Sequence, residues 1–413
     1  MCHECYDMPI HMKRIYFASA FALALVFTFV ATNSYSQQGG QSNVEAFAKR
    51  SLDAEKSGLA EPFLGVTTDG NVVPGLFPIK STGVSTGPIR KAAQEFLQAL
   101  SPELRNKTMF PVDDIEWRKW MNQDFYVRQG VGFIDKNEGQ REKAFGMMKA
   151  SLSAKGLQMS RDTMRLNYTL GELNNNDFVR YGEWRYWITI MGEPSADKPW
   201  GWQIDGHHLI INYFVLGDQV VMSPGFFGSE PVIAPSGKYK GTAILQEEQK
   251  QGLEFLRSLD AGQQKTAILS KEKTANNAQG EAFKDNLKLP YEGLRGNALK
   301  PEQKKKLLAL ANLWVGNMDD GHAKVKMSEV ERHFNDTYFA WIGGSEDKSV
   351  YYFRIHSPVV LIEFDHQRPV GLRHLSSNPQ LPDHEHIHTV IRTPNGNDYG
   401  KDLLRQHLAK YPH

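Results

Sequence analysis

The clearest alternation of side chains along the chain follows His207, in a stretch typical of a β-hairpin. Residues of one parity share a face of an extended chain, and this face comprises His207, Leu209, Ile211, Tyr213 and Val215. The opposite face comprises His208, Ile210, Asn212 and Phe214. Leu216 to Asp218 predict the turn, and residues 219–223 predict the returning strand.

Strand patterns occur in two separate regions. Aromatic and β-branched residues predict strands from Trp184 through the hairpin, and again at residues 338–342, 350–356, 359–365 and 386–392. Helical spacing of apolar residues predicts helices near residues 88–100, 138–153, 162–173, 244–269, 300–334 and 398–411. We therefore expect an α+β fold, in which antiparallel strand groups at about 184–223 and 338–392 share one sheet or stack as two.

Length and charge limit the classes to which this protein can belong. Its 413 residues, 40% of them hydrophobic, can bury a sizeable core, and length alone allows about two or three domains. The 48 basic and 47 acidic residues nearly cancel, so no overall field favours nucleic acid or an anionic membrane as a partner. The sequence also lacks a phosphate-binding P-loop and a dinucleotide-binding fingerprint.

The N-terminal residues have the pattern of an export signal. Two basic residues precede an apolar run at residues 15–31, and small residues follow near Ser34. We predict that residues 1–36 are a signal peptide and that residues 37–413 are exported, to the periplasm or the medium, as a single domain. The membrane would be met only through the signal segment during export, although an uncleaved anchor is the alternative. Both cysteines lie in the predicted signal, so the mature chain would have no thiol chemistry.

Aromatic and polar side chains gather at the mouth of the hairpin. They are Trp200, Trp202, Gln203, Asp205, His207 and His208, with Asn212 further along the strand. Titratable groups on rigid strands are suited to a binding or catalytic site. We expect the two tryptophans, Gln203 and Asn212 to bind substrate, Asp205 to serve the chemistry, and the two histidines to bind a metal.

Three of the late strands carry polar residues two positions apart, which places both members of each pair on one face. The pairs are Arg354 with His356, Glu363 with Asp365, and His386 with His388. A two-residue connection at Ser357-Pro358 would place Arg354 opposite Leu361 and give the first two pairs a common face. A connection longer by one residue would reverse that parity.

Imidazole and carboxylate side chains on rigid strands are typical of a Zn, Fe or Mn site. Six histidines fall between residues 356 and 388, and His386 and His388 face the same way. Together with Glu363 they form an open set of two histidines and one carboxylate. The alternative is that these histidines cap turns, pair with carboxylates or face water.

A literal metalloprotease string, His384-Glu385-His386-Ile387-His388, overlaps this pair. That motif requires a helix, which brings histidines four residues apart onto one face. The β-branched run that follows favours a strand, on which residues four apart are separated by about 13 Å. The spacing of His386 and His388 is therefore the more informative feature.

Several of these segments also resemble a known family. Trp200-Gly201-Trp202-Gln203, Gly206-His207-His208-Leu209, Gly228-Ser229-Glu230-Pro231 and His386-Ile387-His388 with Arg392 are similar to the signature of domain of unknown function 3500. The resemblance covers about residues 45–410, which implies one family-wide domain. It implies no established activity.

Three functions remain open from the sequence. The first is an exported metal-dependent hydrolase, or a non-haem iron oxidoreductase, with catalytic Glu363, Arg354 and Asp205 and a metal at His207, His208, His386 and His388. The second is an exported module that binds a small or saccharide-like ligand on its tryptophans. The third is a structural envelope protein.

The first hypothesis requires the hairpin and the late strands to meet. We predict that His207 or His208 lies within direct or one-ion reach of Glu363, His386 or His388. Only one of two adjacent histidines on a regular strand can face such a site, so single replacements should have unequal effects.

Overall fold

Thirteen strands form one mixed sheet in the computed structural model, which describes residues 45–411. The predicted signal peptide and the two cysteines lie outside the described residues. Among residues 45–411, no helix is both long enough and apolar enough to cross a membrane.

The strands, numbered β1 to β13 in chain order, are Met109–Phe110, Val131–Gly132, Tyr186–Met191, Trp200–Gly206, Leu209–Leu216, Gln219–Val221, Gly225–Ser229, Ile268–Ser270, Leu294–Arg295, Tyr338–Gly343, Tyr351–His356, Leu361–His366 and Ile387–Arg392. The helices α1 to α10 are residues 45–58, Gly87–Ala99, Pro102–Thr108, Glu138–Ser151, Ala154–Leu173, Gln246–Arg257, Ala261–Ala267, Pro301–Val315, Asp320–Arg332 and Lys401–Lys410.

The two predicted strand groups share this sheet. The strand order is β1-β3-β4-β5-β7-β13-β12-β11-β10-β8, with β2 on β3, β6 on β5 and β9 on β10. Neighbours are antiparallel except for the pairs β1–β3 and β10–β8. Pairing of β7 with β13 joins the early group to the late group, and the α+β prediction is confirmed.

One face of the sheet is apolar and packs against helices. Trp202 stacks on Tyr213 with ring centroids 5.5 Å apart, and Phe353 lies in the same cluster as Leu256 of α6 and Leu310 of α8. Burial of each such side chain stabilises the fold by about 1.5–3 kcal/mol. The strand residues between them face the other side, where buried polar and charged groups alternate with apolar ones.

The hairpin differs from the prediction at its mouth. His207 and His208 are not strand residues but the two-residue connection between β4 and β5, because Gly206 pairs directly with Leu209. His208 has a φ of 65°, in the left-handed region that a tight turn requires. The two rings stack with centroids 3.9 Å apart, so the expectation of opposite strand faces was wrong.

The register of β11 and β12 also differs from the prediction, whereas the predicted common face of Arg354, His356, Glu363 and Asp365 is confirmed. Arg354 lies opposite Glu363 because four residues, 357–360, connect β11 to β12. Ser357 stabilises this longer turn, since its Oγ accepts the backbone N–H groups of Val359 and Val360. A register shift of two residues preserves parity, so the predicted polar face survives.

Candidate metal centre

Three histidines from the two strand groups converge where the central strands β5, β7 and β13 begin or end. The Nε2 atoms of His208 and His388 are 3.2 Å apart, those of His208 and His386 are 3.4 Å apart, and those of His386 and His388 are 2.9 Å apart. The predicted meeting of the hairpin with the late strands is confirmed by these distances.

Backbone pairing explains why these residues meet. Strand β7 lies between β5 and β13, and its Gly228 pairs with His388 while donating its N–H to the carbonyl of His208 at 2.9 Å. A Cβ at position 228 would lie only 2.7 Å from the carbonyl oxygen of Ile387 and 3.2 Å from the His388 ring. Glycine at this position therefore allows the backbones and rings to approach closely.

The spacing of the three nitrogens fits a single metal ion. Three ligands about 2.0–2.1 Å from a tetrahedral zinc ion lie about 3.3 Å from one another, close to the separations observed here. All three side chains are buried, with exposed fractions of 5%, 3% and 8% for His208, His386 and His388. The three ring nitrogens are thus close enough together to hold one divalent metal ion.

Burial keeps these imidazoles neutral. It lowers the pKa of His208 well below its usual value, lowers the pKa of His386, and lowers the pKa of His388 to about 3. Charge repulsion among neighbouring histidines lowers the pKa of His208 further. Neutral imidazole is the form that binds a metal.

The second ring nitrogen of two of these histidines is held by an acceptor. His388 Nδ1 lies 2.7 Å from Glu281 Oε1, and His386 Nδ1 lies 2.7 Å from the carbonyl oxygen of Arg368, with Glu230 Oε2 at 3.6 Å. The Arg368 carbonyl can only accept, so Nδ1 carries the ring hydrogen in His386 and its Nε2 presents a lone pair to the cluster; an ionised Glu281 accepts the ring hydrogen of His388 in the same way. Burial raises the pKa of Glu281 to about 7.

His207 lies outside the cluster. Its Nδ1 is 2.8 Å from Asn167 Oδ1, and the Asn167 amide is oriented by donating to the carbonyl of Gly182 at 2.9 Å. Burial lowers the pKa of His207 to about 4. The tight turn directs His208 alone toward the late strands, so the expected metal-binding role of His207 is corrected.

Glu363 is also absent from the cluster. Its carboxylate accepts the backbone N–H groups of Gln279 at 3.1 Å and Gly280 at 2.7 Å, and the Tyr352 hydroxyl at 2.6 Å. The side chain is fully buried, and burial raises its pKa. Its bonding capacity is used within the fold, so it supplies neither a metal ligand nor a free catalytic carboxylate.

Arg354 and Asp205 likewise have protein partners. Arg354 Nη2 lies 2.7 Å from Glu292 Oε2, and Asp205 Oδ1 lies 3.1 Å from Arg128 Nε. Burial raises the pKa of Asp205 to about 6 despite the nearby guanidinium. The Asp205 pair is buried and the Arg354 pair is half-exposed on its Glu292 side. Neither residue belongs to the histidine cluster, so their expected catalytic roles find no support in this geometry.

Gln203 and Asn212 join neighbouring strands to loops. Gln203 Nε2 donates to Asn212 Oδ1 at 2.7 Å and to the carbonyl of Trp117 at 3.1 Å, and Asn212 Nδ2 donates to the carbonyl of Pro224 at 2.9 Å. Both side chains are buried. They bind the protein itself rather than a ligand from solvent.

Trp200 and Trp202 are core residues. Both are 0% exposed, and their Nε1 atoms donate to the carbonyl of Ser195 and to the Ser151 hydroxyl. Neither indole offers a face to a ligand, so the expected stacking platform is wrong. The sequence shows that aromatic residues lie here, but not that helices cover them.

The metalloprotease string does not form a helix but leads into strand β13, as the β-branched residues after it predict. His386 directly precedes β13, and His384 bonds to the Lys348 carbonyl at 3.1 Å instead of joining the cluster. The two histidines that belong to the cluster are therefore His386 and His388, two residues apart.

An irregular segment, residues 273–286, crosses the polar face of the sheet, and we call it the crossing segment. Asp365 holds its first half, since it pairs with Lys273 at 2.9 Å and accepts the backbone N–H groups of Asn277 at 2.6 Å and Ala278 at 2.9 Å. Glu363 holds the next two residues through the contacts given above.

Buried arginines hold the second half of the crossing segment. Arg392 donates to the carbonyls of Gly280 and Glu281, and its Nη1 lies 2.9 Å from Asp285 Oδ1. Arg118 Nε lies 2.8 Å from Asp285 Oδ2. The pair Glu363 with Asp365, together with Arg392 and Arg118, thus anchors the segment that brings Glu281 to His388. Glu281 itself has no local sequence signal.

One family model matches most of the chain, and its description is protein of unknown function (DUF3500). No curated protein and no solved structure matches the chain. The match covers residues 82–401, which include the three clustered histidines and Glu281. The chain belongs to this family.

Proposed function

We propose that the protein is an exported metal-dependent hydrolase whose metal is held by His208, His386 and His388. The observation that carries the proposal is the contact of 2.9 Å between the Nε2 atoms of His386 and His388. Both nitrogens present lone pairs when Glu281 is ionised, because each ring then donates from Nδ1 to another acceptor. Two facing lone pairs in a buried site are unfavourable unless a cation or a shared proton lies between them, and the third imidazole completes a metal set.

The number of ligands favours a reactive metal. Structural zinc sites use four protein ligands, whereas catalytic sites use three and leave one position open. Among the described residues, no fourth histidine, cysteine, aspartate or glutamate belongs to the cluster. A divalent ion held this way would act as a Lewis acid and lower the pKa of a bound water molecule.

The residues around the cluster prepare it for that role. Glu281 and the Arg368 carbonyl fix two ring tautomers, and Phe226 covers His388 with ring centroids 5.0 Å apart. Three neutral ligands leave the charge of the ion uncompensated, which favours anionic groups in the open position. We prefer hydrolysis to iron-dependent oxidation because the expected carboxylate ligand, Glu363, is engaged elsewhere. Zn is the leading candidate, with Fe and Mn next.

Two features support the wider setting of the proposal. The N-terminal pattern at residues 1–36 favours export, and the near-zero net charge favours a small-molecule substrate over nucleic acid. A binding module that stacks ligands on Trp200 and Trp202 is less favoured, because neither indole is exposed.

Hydrolysis of model substrates tests the proposal. Protein stripped with a chelator and reloaded with zinc, iron or manganese should cleave a panel of p-nitrophenyl esters and phosphoesters, and the His388→Ala variant should not. Activity that is equal in the stripped protein, the reloaded protein and the variant would reject metal-dependent hydrolysis. If the reloaded protein binds one metal per chain but cleaves none of these substrates, the metal centre would stand and the proposed hydrolysis would be rejected.

A further inference from the structure

We infer that Glu281 is the positioning residue of the metal centre, and that buried charges on the polar face act by holding it there. The inference rests on the metal centre proposed above. Glu281 Oε1 lies 2.7 Å from His388 Nδ1, the nitrogen that faces away from the cluster. Glu281 reaches this atom from the crossing segment and not from the sheet that carries His386 and His388.

The backbone on both sides of Glu281 is fixed. The Gly280 N–H donates to Glu363 Oε2 at 2.7 Å, while Arg392 donates to the Gly280 carbonyl at 2.6 Å and to the Glu281 carbonyl at 3.1 Å. Glu363 and Arg392 are both 0% exposed. The position of the Glu281 carboxylate is therefore set by buried charge-assisted hydrogen bonds, leaving only its own side-chain torsions free.

Gly280 permits this close approach. A Cβ at this position would lie 3.0 Å from Glu363 Oε2 and 3.4 Å from Arg392 Nε. To relieve the closer contact, the Gly280 peptide or the Glu363 carboxylate must shift by a few tenths of an ångström, and a shift of the peptide moves Glu281 relative to His388. Gly280→Ala therefore changes the position of the carboxylate without changing its chemistry.

A second link connects Glu281 to the hairpin. Asn122 Nδ2 lies 3.5 Å from Glu281 Oε2, and the Asn122 carbonyl accepts the backbone N–H of His208 at 3.2 Å. A carboxylate on the outer nitrogen of a histidine ligand fixes its orientation and raises its basicity. Loss of such a partner typically weakens metal binding 10–100-fold.

Zinc titration measures this role. Protein made without a histidine tag is stripped with a chelator and titrated with zinc in competition with a chromophoric chelator. Glu281→Ala should raise the zinc Kd 10–100-fold. Glu281→Gln should have a smaller effect, because an amide oxygen still accepts from Nδ1. Gly280→Ala should also raise Kd, whereas Glu272→Gln, which removes an exposed carboxylate beside the segment, should not.

The cobalt-substituted protein separates positioning from a general loss of stability. Glu281→Ala should change the visible absorption of bound cobalt while the melting temperature of the metal-free protein stays close to wild type. A zinc Kd and cobalt spectrum unchanged in Glu281→Ala, with one metal bound to the wild type, would overturn the inference and leave the metal centre intact. A wild-type protein that binds no zinc, iron or manganese would instead remove the proposed centre, and the inference with it.

Discussion

Replacing Asp285 with asparagine should destabilise the fold strongly. The Asp285 carboxylate is 1% exposed and lies 2.9 Å from Arg392 Nη1, 2.8 Å from Arg118 Nε and 2.9 Å from the Tyr399 hydroxyl. Arg392 keeps a second carboxylate, Asp398, at 3.0 Å, but no second carboxylate is in salt-bridge range of Arg118 among the described residues. Removing one partner of a buried pair typically costs about 3–5 kcal/mol, and we expect a loss in that range.

Urea denaturation with a double-mutant cycle tests this expectation. Asp285→Asn should lower the free energy of unfolding by about 3–5 kcal/mol, and adding Arg118→Met should recover part of the loss, because no unpaired guanidinium is then left buried. A loss below about 1 kcal/mol, or strictly additive effects, would refute the view that these buried charges anchor the crossing segment.

Three further predictions concern the histidines, a buried lysine and the N-terminus. His208→Ala should abolish stoichiometric metal while His207→Ala keeps it, and equal losses by elemental analysis would contradict the assignment. Burial lowers the pKa of Lys136 to about 7, so the unfolded state binds more protons at this residue above that pH, and Lys136 should contribute a rise in stability of about 1.4 kcal/mol per pH unit toward pH 10. Lys136→Met should reduce the slope of stability against pH by that amount in urea titrations, and an unchanged slope would show that the lysine makes no such contribution. Mass spectrometry of exported protein should lack residues 1–36, and an intact first residue would disprove cleavage.

Local periodicity predicted much of the fold. Alternation with a period of two located the strands after Leu209 and the late strands, and it placed His386 and His388 on one face. The distant meeting of His208 with this pair followed from the cost of burying histidines without partners. These features depend on short-range pattern and general energetics, which a single sequence contains.

The errors arose where tertiary contacts decide the role of a residue. Nothing near Glu363 in the sequence shows that backbone amides of the crossing segment would occupy its carboxylate, and nothing near Trp202 shows that helices would cover its indole. Glu281 has an irregular neighbourhood without a motif, so only its contact with His388 indicates a role. Polar residues two positions apart on a strand can bind a ligand or hold another segment of the same chain. The sequence alone does not show which of the two they contact.

Metal content of the untagged protein is the most direct test of the central claim. Protein purified without chelators, and without a histidine tag, should contain about one equivalent of zinc, iron or manganese per chain by inductively coupled plasma mass spectrometry. The variant that replaces His208, His386 and His388 together with alanine should contain none. Wild-type protein that remains metal-free after incubation with each ion, or a triple variant that retains a full equivalent, would contradict the proposed centre.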